Sequence, residues 1–459
     1  MLKEKINKIS AQKIIECLIC LFLFLLPWQT RWIYFFSVLE YSTLSFYVTE
    51  FLLWIIIVLF VIWKFWDKRL WKKILTKEHF QNHKKYLILY FVFCILYFIV
   101  LFSSINFNVS LQWTVWWLGA MCFGVVMLLT QGVKQSKKEK YFQNTDRPFF
   151  IFSGSHQIFL FAFWIGGVLQ GLIAIIQFFT QVIFANKWLG VAYHSGIDGG
   201  ASVIDFAGGR FLRAYGSFGW PNSLGIYLAV CLIVGLIIYF KTKNYKIKIL
   251  ITAGQMFVLS GLILSFSRAA WLSVIIGIFV LFFTILKIFP SKIIFFFRQL
   301  FFYFLLFTFY FLLLFPLFTA RLDLSNRLES RSVVERASQY FESTQIIKND
   351  FWFGVGAGNY TLVLQEKYPN RESWEYQPVH NIYILALSEL GLVGFLLYFG
   401  LVFFLLFFVG KYRPMSLAII VVALTAGFFD HWVFSMYTGM VLFWLTLFIG
   451  FTDDNLYKN

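Results

Sequence analysis

Apolar runs near or above the ~18 residues needed to cross a bilayer recur along the whole of this chain. That one feature leaves few folds open. In hydrocarbon the backbone must satisfy its own hydrogen bonds, and runs this long and continuous do so as helices rather than barrel strands. Charged residues make up only 13% of the sequence and hydrophobic ones 60%, roughly half the charge of a soluble chain. The expectation is an all-α polytopic membrane protein, with residues 1–459 forming a single integral membrane domain. Twelve spans are read at 14–28, 47–66, 86–103, 111–131, 157–184, 217–240, 249–265, 270–289, 299–319, 388–410, 415–429 and 432–451.

Basic residues alternate between the connections. Lys3, Lys5, Lys8 and Lys13 precede the first span, and later groups run from Lys64 to Lys85, Lys134 to Arg147, Lys241 to Lys248 and Lys287 to Arg298, then Lys411 and Arg413. The intervening connections at 104–110 and near Asp430 carry no Lys or Arg. Under the positive-inside bias this places both termini in the cytoplasm and agrees with an even number of spans. A positive cytoplasmic face against anionic lipid accounts for most of the net charge of +17, so no nucleic-acid partner is expected. Residues 1–30 resemble a signal sequence, yet Pro27, Trp28 and Gln29 stand where small residues would mark cleavage, so a retained anchor is expected. Cys17, Cys20, Cys94, Cys122 and Cys231 all fall within apolar spans and read as buried thiols.

Two connections on the non-cytoplasmic side are too long for simple turns. Residues 185–216 contain Ala201–Phe206 and Arg210–Tyr215 around Ala207-Gly208-Gly209, the pattern of a small β-hairpin. Residues 320–387 form the large external loop. Within it Ser332 and Glu335 read as a capping box opening a surface helix. Val333, Ala337, Tyr340, Phe341 and Ile347 share one face of that helix. A Gly-rich break, Gly354-Val355-Gly356-Ala357-Gly358-Asn359, follows. It lacks the lysine and preceding strand of a phosphate loop.

Three polar residues interrupt the apolar sequence on that same side. Arg213 leads through Gly216, Gly219 and Pro221 into a span, where a cation, close backbone and a helix start suit an anionic ligand. Arg268 lies where two spans meet with almost no loop, and no acid stands near it in sequence. Charges near membrane depth tend to be paired or functional. His380 offers a base that works near neutral pH. Each also has a plainer reading, an interfacial snorkelling arginine or a hydrogen-bonded structural histidine. The other histidines compare poorly: His79 and His83 fall in a cytoplasmic loop, His156 at a cytoplasmic boundary, His194 in an external loop and His431 in a tight turn. No paired carboxylates or Asp-x-Asp element mark a metal site.

Taken together the motifs resemble the O-antigen ligase and O-antigen polymerase superfamily of bacterial surface-glycan enzymes. The matching pieces are Arg213-Ala-Tyr-Gly-Ser-Phe-Gly-Trp-Pro-Asn222, Ser267-Arg268-Ala-Ala-Trp271, Phe353-Gly-Val-Gly-Ala-Gly-Asn359 and His380-Asn381 with Glu389-Leu-Gly391. They occur in the family's order across residues 205–405, with the long loop between the ninth and tenth spans. One departure is the lack of an aromatic residue soon after Arg336, the first being Tyr340. The resemblance implies a GT-C-like glycosyltransferase in the cytoplasmic (inner) membrane, acting on its outer face without a metal or other cofactor and inverting the anomeric centre. Its donor would be a glycan on undecaprenyl diphosphate. Arg213 and Arg268 would hold the diphosphate and His380 would activate the acceptor hydroxyl, supported by Arg210, Arg336, Asn381 and Glu389. The acceptor would be a lipid core, another glycan or a protein hydroxyl, with the ligase reading favoured over polymerase and protein oligosaccharyltransferase. A lipid-linked sugar flippase is the competing class. It predicts ionisable groups at mid-membrane and related halves, and the sequence has neither.

Overall fold

The computed structural model describes residues 2–66, 98, 101–102, 104–131, 155–412 and 414–451. Within them the chain is a bundle of apolar helices with short strands and rim helices gathered at one end. The helices are α1 (Leu2–Leu25), α2 (Val48–Trp66), α3 (Phe107–Gln131) and α4 (Ser155–Thr180), followed by α5 (Pro221–Lys241), α6 (Tyr245–Leu264), α7 (Arg268–Ile288) and α8 (Ile293–Leu313). After the long loop come α12 (Ile382–Tyr412), α13 (Pro414–Gly427), the single turn α14 (Trp432–Ser435) and α15 (Tyr437–Phe451). Eight of these elements are long and apolar enough to cross a membrane, and segments 415–427 and 437–449 are shorter apolar helices. The protein is therefore a polytopic all-α membrane protein. Every expected span has its helix except 86–103, which lies almost wholly outside the described residues. Expected clusters Lys134 to Arg147 and most of Lys64 to Lys85 lie outside them too, as do His79, His83, Cys94 and Arg413.

Helix α5 is the hub. Every side chain from Ser223 to Phe240 is buried, and the helix packs on α4, α6, α7 and α13. Pro221 opens it at a position whose missing N–H costs nothing. One turn on, Gly225 allows the helix to press against the next hairpin: a Cβ there would lie 2.8 Å from the Ser267 Cβ and 2.9 Å from the Ser265 Oγ. The start of α5 is thereby locked to the α6–α7 turn.

The polar end is built from the connections. Strands β1 (Arg31–Phe35) and β2 (Leu44–Tyr47) pair antiparallel between α1 and α2. A two-residue ladder of β3 (Val182–Ile183) and β4 (His194–Ser195) follows α4. The hairpin β5 (Val203–Phe206) and β6 (Gly209–Leu212) then turns through Ala207 and Gly208, both at positive φ. In the long loop, α9 (Phe315–Leu322), α10 (Arg327–Asn349) and α11 (Tyr360–Lys367) lie across the same end.

Two expectations for the long loop change. Helix α10 begins at Arg327, not after Ser332, because the Asn326 side chain accepts the Leu328 N–H at 3.1 Å and caps it earlier. Its buried side is also the polar one, carrying Glu329, Gln339, Glu342, Ser343 and Ile346, while Val333, Tyr340 and Phe341 point outward. Polar partners waiting in the bundle below, rather than an apolar seat, reverse the face.

A second break shapes α12. Gly391 sits at φ 63° and ψ −176°, splitting the segment into a short upper helix and a longer lower one. The chain at Phe351–Gly354 passes so close that a Cβ on Gly391 would lie 2.4 Å from the Phe353 nitrogen. Backbone N–H groups of Leu392 and Val393 donate to the Phe351 and Trp352 carbonyls.

Candidate active site at the polar end of the bundle

The turn joining α6 to α7 organises the cations. Buried Phe266 sits in the left-handed region at φ 47°, and Ser267 caps α7. This turn leaves main-chain carbonyls facing the polar end. The Ser265 carbonyl accepts the Arg213 Nε at 2.8 Å, and the Phe266 carbonyl accepts the Arg321 Nε at 3.3 Å. Arg268, the first residue of α7, donates to the Arg321 carbonyl at 3.2 Å.

One carboxylate serves this group. Buried Glu329 pairs with Arg268 at 2.7 Å and with Arg321. The arginine thus has an acid after all, brought from α10 by the fold and 61 residues away along the chain. Burial pulls the Arg213 guanidinium well below the ordinary arginine range, and Arg321 and Arg268 push in the same direction, while Tyr215 and Glu329 oppose them. Arginine does not give up its proton in a protein, so Arg213 stays charged here, with its Nε and Nη2 held by neutral acceptors. Arg336, on the inward flank of α10, adds positive potential at both Arg321 and His380 and makes no ion pair among the described residues.

The Arg213 segment is held as rigidly as the turn it meets. The Gln177 Oε1 accepts the N–H groups of Tyr215 and Gly216, and the Gln170 Oε1 accepts that of Ser217. The Arg213 Nη2 then donates to the Asn222 Oδ1 at 2.8 Å, and the Asn222 Nδ2 donates to Asp430 at 3.1 Å.

His380 reaches the same place from the foot of α12. Its Nδ1 lies 2.8 Å from the Gln339 Oε1, and its backbone N–H points at that same oxygen. A main-chain N–H can only donate, which sets the amide orientation. The ring proton therefore sits on Nδ1 and the lone pair on Nε2. The ring packs edge-on against His431 with centroids 5.1 Å apart, and His431 meets Tyr41 at 5.4 Å. Burial lowers the His380 pKa, and His431 lowers it further, against the pull of Asp430. His431 is lowered by burial as well. Both rings are held neutral.

Arg213, Asn222, His380, Asp430, His431 and Tyr41 line one cavity of about 210 Å³. Of the three principal residues, Arg213 and His380 meet in it. Arg268 stands behind, joined to Arg213 through the charge cluster rather than in the wall. The supporting candidates separate. Arg210 is on β6, 3.9 Å from Asp205 and bonded to the Ile197 carbonyl. The Asn381 side chain accepts the Tyr383 and Ile384 N–H groups and caps α12. Glu389 is buried beneath the Gly-rich run, accepting the Gly358 N–H at 2.9 Å. Asn381 thus fixes the helix start beside His380, Glu389 fixes the Gly-rich run, and neither lines the cavity.

Four contributors escape a reading of the sequence: Arg321, Glu329, Asp430 and His431. The last two occupy the turn set aside as tight, although an Asp-His pair in an otherwise apolar region was a visible signal. His194, by contrast, stacks on Tyr215 at 4.8 Å and stays outside the cavity. Among the described residues no three His, Cys, Asp or Glu side chains cluster as a metal site would need.

Residues 253–399 match the model of a family described as O-antigen ligase. The matched segment includes Arg268, Glu329 and His380. No curated protein matches the chain.

Proposed function

We propose that this protein, similar over residues 253–399 to the O-antigen ligase family, transfers a glycan from undecaprenyl diphosphate to an acceptor hydroxyl, in the manner of an O-antigen ligase, on the outer face of the cytoplasmic membrane. One observation carries the reading: a cation cluster, with Arg268 and Arg321 paired to Glu329 and Arg213 beside them, adjoins a cavity lined by both Arg213 and neutral His380. One carboxylate, Glu329, does not neutralise Arg213, Arg268 and Arg321 together, and a diphosphate leaving group would supply the further negative charge. As the glycosidic bond lengthens, charge grows on the leaving oxygen, and preorganised guanidinium groups stabilise it without reorganising.

The acceptor side follows from the tautomer. Gln339 keeps the proton on Nδ1, so Nε2 can take the proton of an incoming hydroxyl as its oxygen attacks the anomeric carbon. The electron pair of the broken bond leaves with the diphosphate. Attack from the face opposite the leaving group inverts the centre. Asp430, beside His431 and hydrogen-bonded to Asn222, can stabilise the imidazolium that forms. In this scheme the arginines do the work for which other transferases use a divalent ion. The acceptor is a lipid core, a second lipid-linked glycan or a protein, and no group in the cavity selects among them.

The test is reconstitution. Purified protein in proteoliposomes, given an undecaprenyl-diphosphate oligosaccharide and candidate acceptors, should release undecaprenyl diphosphate and glycosylate one acceptor. A chelator should leave the rate unchanged. Movement of the intact lipid-linked sugar between leaflets, without cleavage, would mean a flippase instead.

A further inference from the structure

The β1–β2 ribbon has an unusual surface. Residues alternate faces along a strand, so a ribbon in water is polar on at least one side. Here Trp32, Ile33, Tyr34 and Phe35 are all apolar and exposed, and the pairing slips between Ile33 and Phe35, so β1 beyond Arg31 has no polar side. The tip continues the pattern, with Phe36 76% and Val38 69% exposed. No charge stands between Trp32 and Leu39, and the flanking Arg31 and Glu40 neutralise each other at 3.7 Å.

Two contacts give the ribbon a height relative to the spans. Strand β2 ends at Tyr47 and α2 begins at Val48, with no linker between them. The Gln112 side chain, near the start of α3, accepts from the Ser45 N–H at 2.8 Å and the Tyr34 hydroxyl at 3.1 Å. Both contacts hold the ribbon beside helix ends that enter the hydrocarbon. An edge strand leaves backbone groups unpaired, which forbids the hydrocarbon core itself, whereas aromatic rings and unpaired amides are both accommodated at headgroup level. The opposite side of the ribbon belongs to the cavity: Tyr41, in the turn before β2, lines it and meets His431.

We propose that the exposed face of the β1–β2 ribbon is seated in the headgroup layer of the leaflet at the cavity end, packed on phospholipid. The ribbon is then a thin lateral wall, with lipid outside it and Tyr41 inside. This placement rests on the fold and stands or falls apart from the glycan-transfer reading.

Spin-label accessibility tests it without any activity measurement. Phe36→Cys and Val38→Cys would be made after replacing Cys17, Cys20, Cys94, Cys122 and Cys231 with alanine, labelled, and reconstituted in vesicles of phosphatidylethanolamine and phosphatidylglycerol. Val58→Cys, on the exposed side of α2, and exposed Asn370→Cys calibrate lipid and water. The oxygen-to-nickel collision ratio at both ribbon positions should fall above that at Asn370 and below that at Val58. A ratio equal to that at Asn370 puts the ribbon in water and overturns the proposal. Labels shielded from both oxygen and the nickel complex would mean a protein partner or a second copy, and overturn it equally. Both ribbon positions are largely exposed, so replacing them removes little buried surface.

Discussion

Arg213 is gripped by geometry rather than by charge. Its Nε and Nη2 each have an assigned acceptor, Ser265 O and Asn222 Oδ1, and a lysine cannot reproduce that fork. Arg213→Lys should therefore keep the positive charge and still lower glycan transfer by about 10²-fold or more, the usual cost of one preorganised donor. A lysine variant within threefold of the parent rate would show that charge alone suffices. The histidine leads to a pH prediction. An unfolded histidine takes a proton near pH ~6.5, whereas His380 is depressed by burial and by His431. Its basic form should persist as pH falls from 7 to 6, so the transfer rate should stay flat over that interval, and a rate that halves by pH 6 would contradict the assignment. The same depression makes protonation of His380 and His431 cost folding free energy, so stability is full above that ordinary value and is lost on acidification. Arg213, Arg268 and His380 were legible in the sequence because each is a lone polar group in greasy surroundings. Arg321 and Glu329 were not, since their meaning is a pairing across elements. The absence of an acid near Arg268 in sequence misled for that reason.

The spans were legible as elements because long apolar runs admit one solution in lipid. The long loop was not, and α10 shows why. A rule that buries the apolar face assumes an apolar seat, but this helix docks through Glu329 on the arginines, Gln339 on His380 and Glu342 on Arg371 at 2.6 Å. The Gly-rich run has no lysine, and the backbone donors that it gives to buried Glu389 appear only in the fold. Gly391 is the weak point of this assembly. Alanine there meets both an unfavourable φ and three backbone atoms within 2.5 Å. Gly391→Ala should cost about 1–3 kcal/mol from strain alone, lower the Tm in detergent, and loosen Phe351–Gly354 enough for proteases to cut there. An unchanged Tm would mean that the two segments can separate freely.

At the scale of the whole molecule, the alternation of basic connections predicts which end faces out. Asn370→Cys in the long loop should react with an impermeant maleimide on intact cells, and reaction only after the membrane is opened would invert the topology. The bundle itself is ordinary packing around α5, and composition plus hydropathy anticipated it. The convergence of the polar end is a different matter: the cavity draws on the β1–β2 connection, the segment before α5, the foot of α12 and the α13–α14 turn, none adjacent in sequence.

The cavity's size has one more consequence. At about 210 Å³ it is smaller than the ~300–1,000 Å³ of sites that enclose a drug-sized ligand. On the proposed reading it would hold the join between carrier and first sugar, leaving the distal residues of an oligosaccharide outside it. Turnover would then be blind to chain length: a donor bearing one repeat and a donor bearing dozens would present the same few atoms to the same walls.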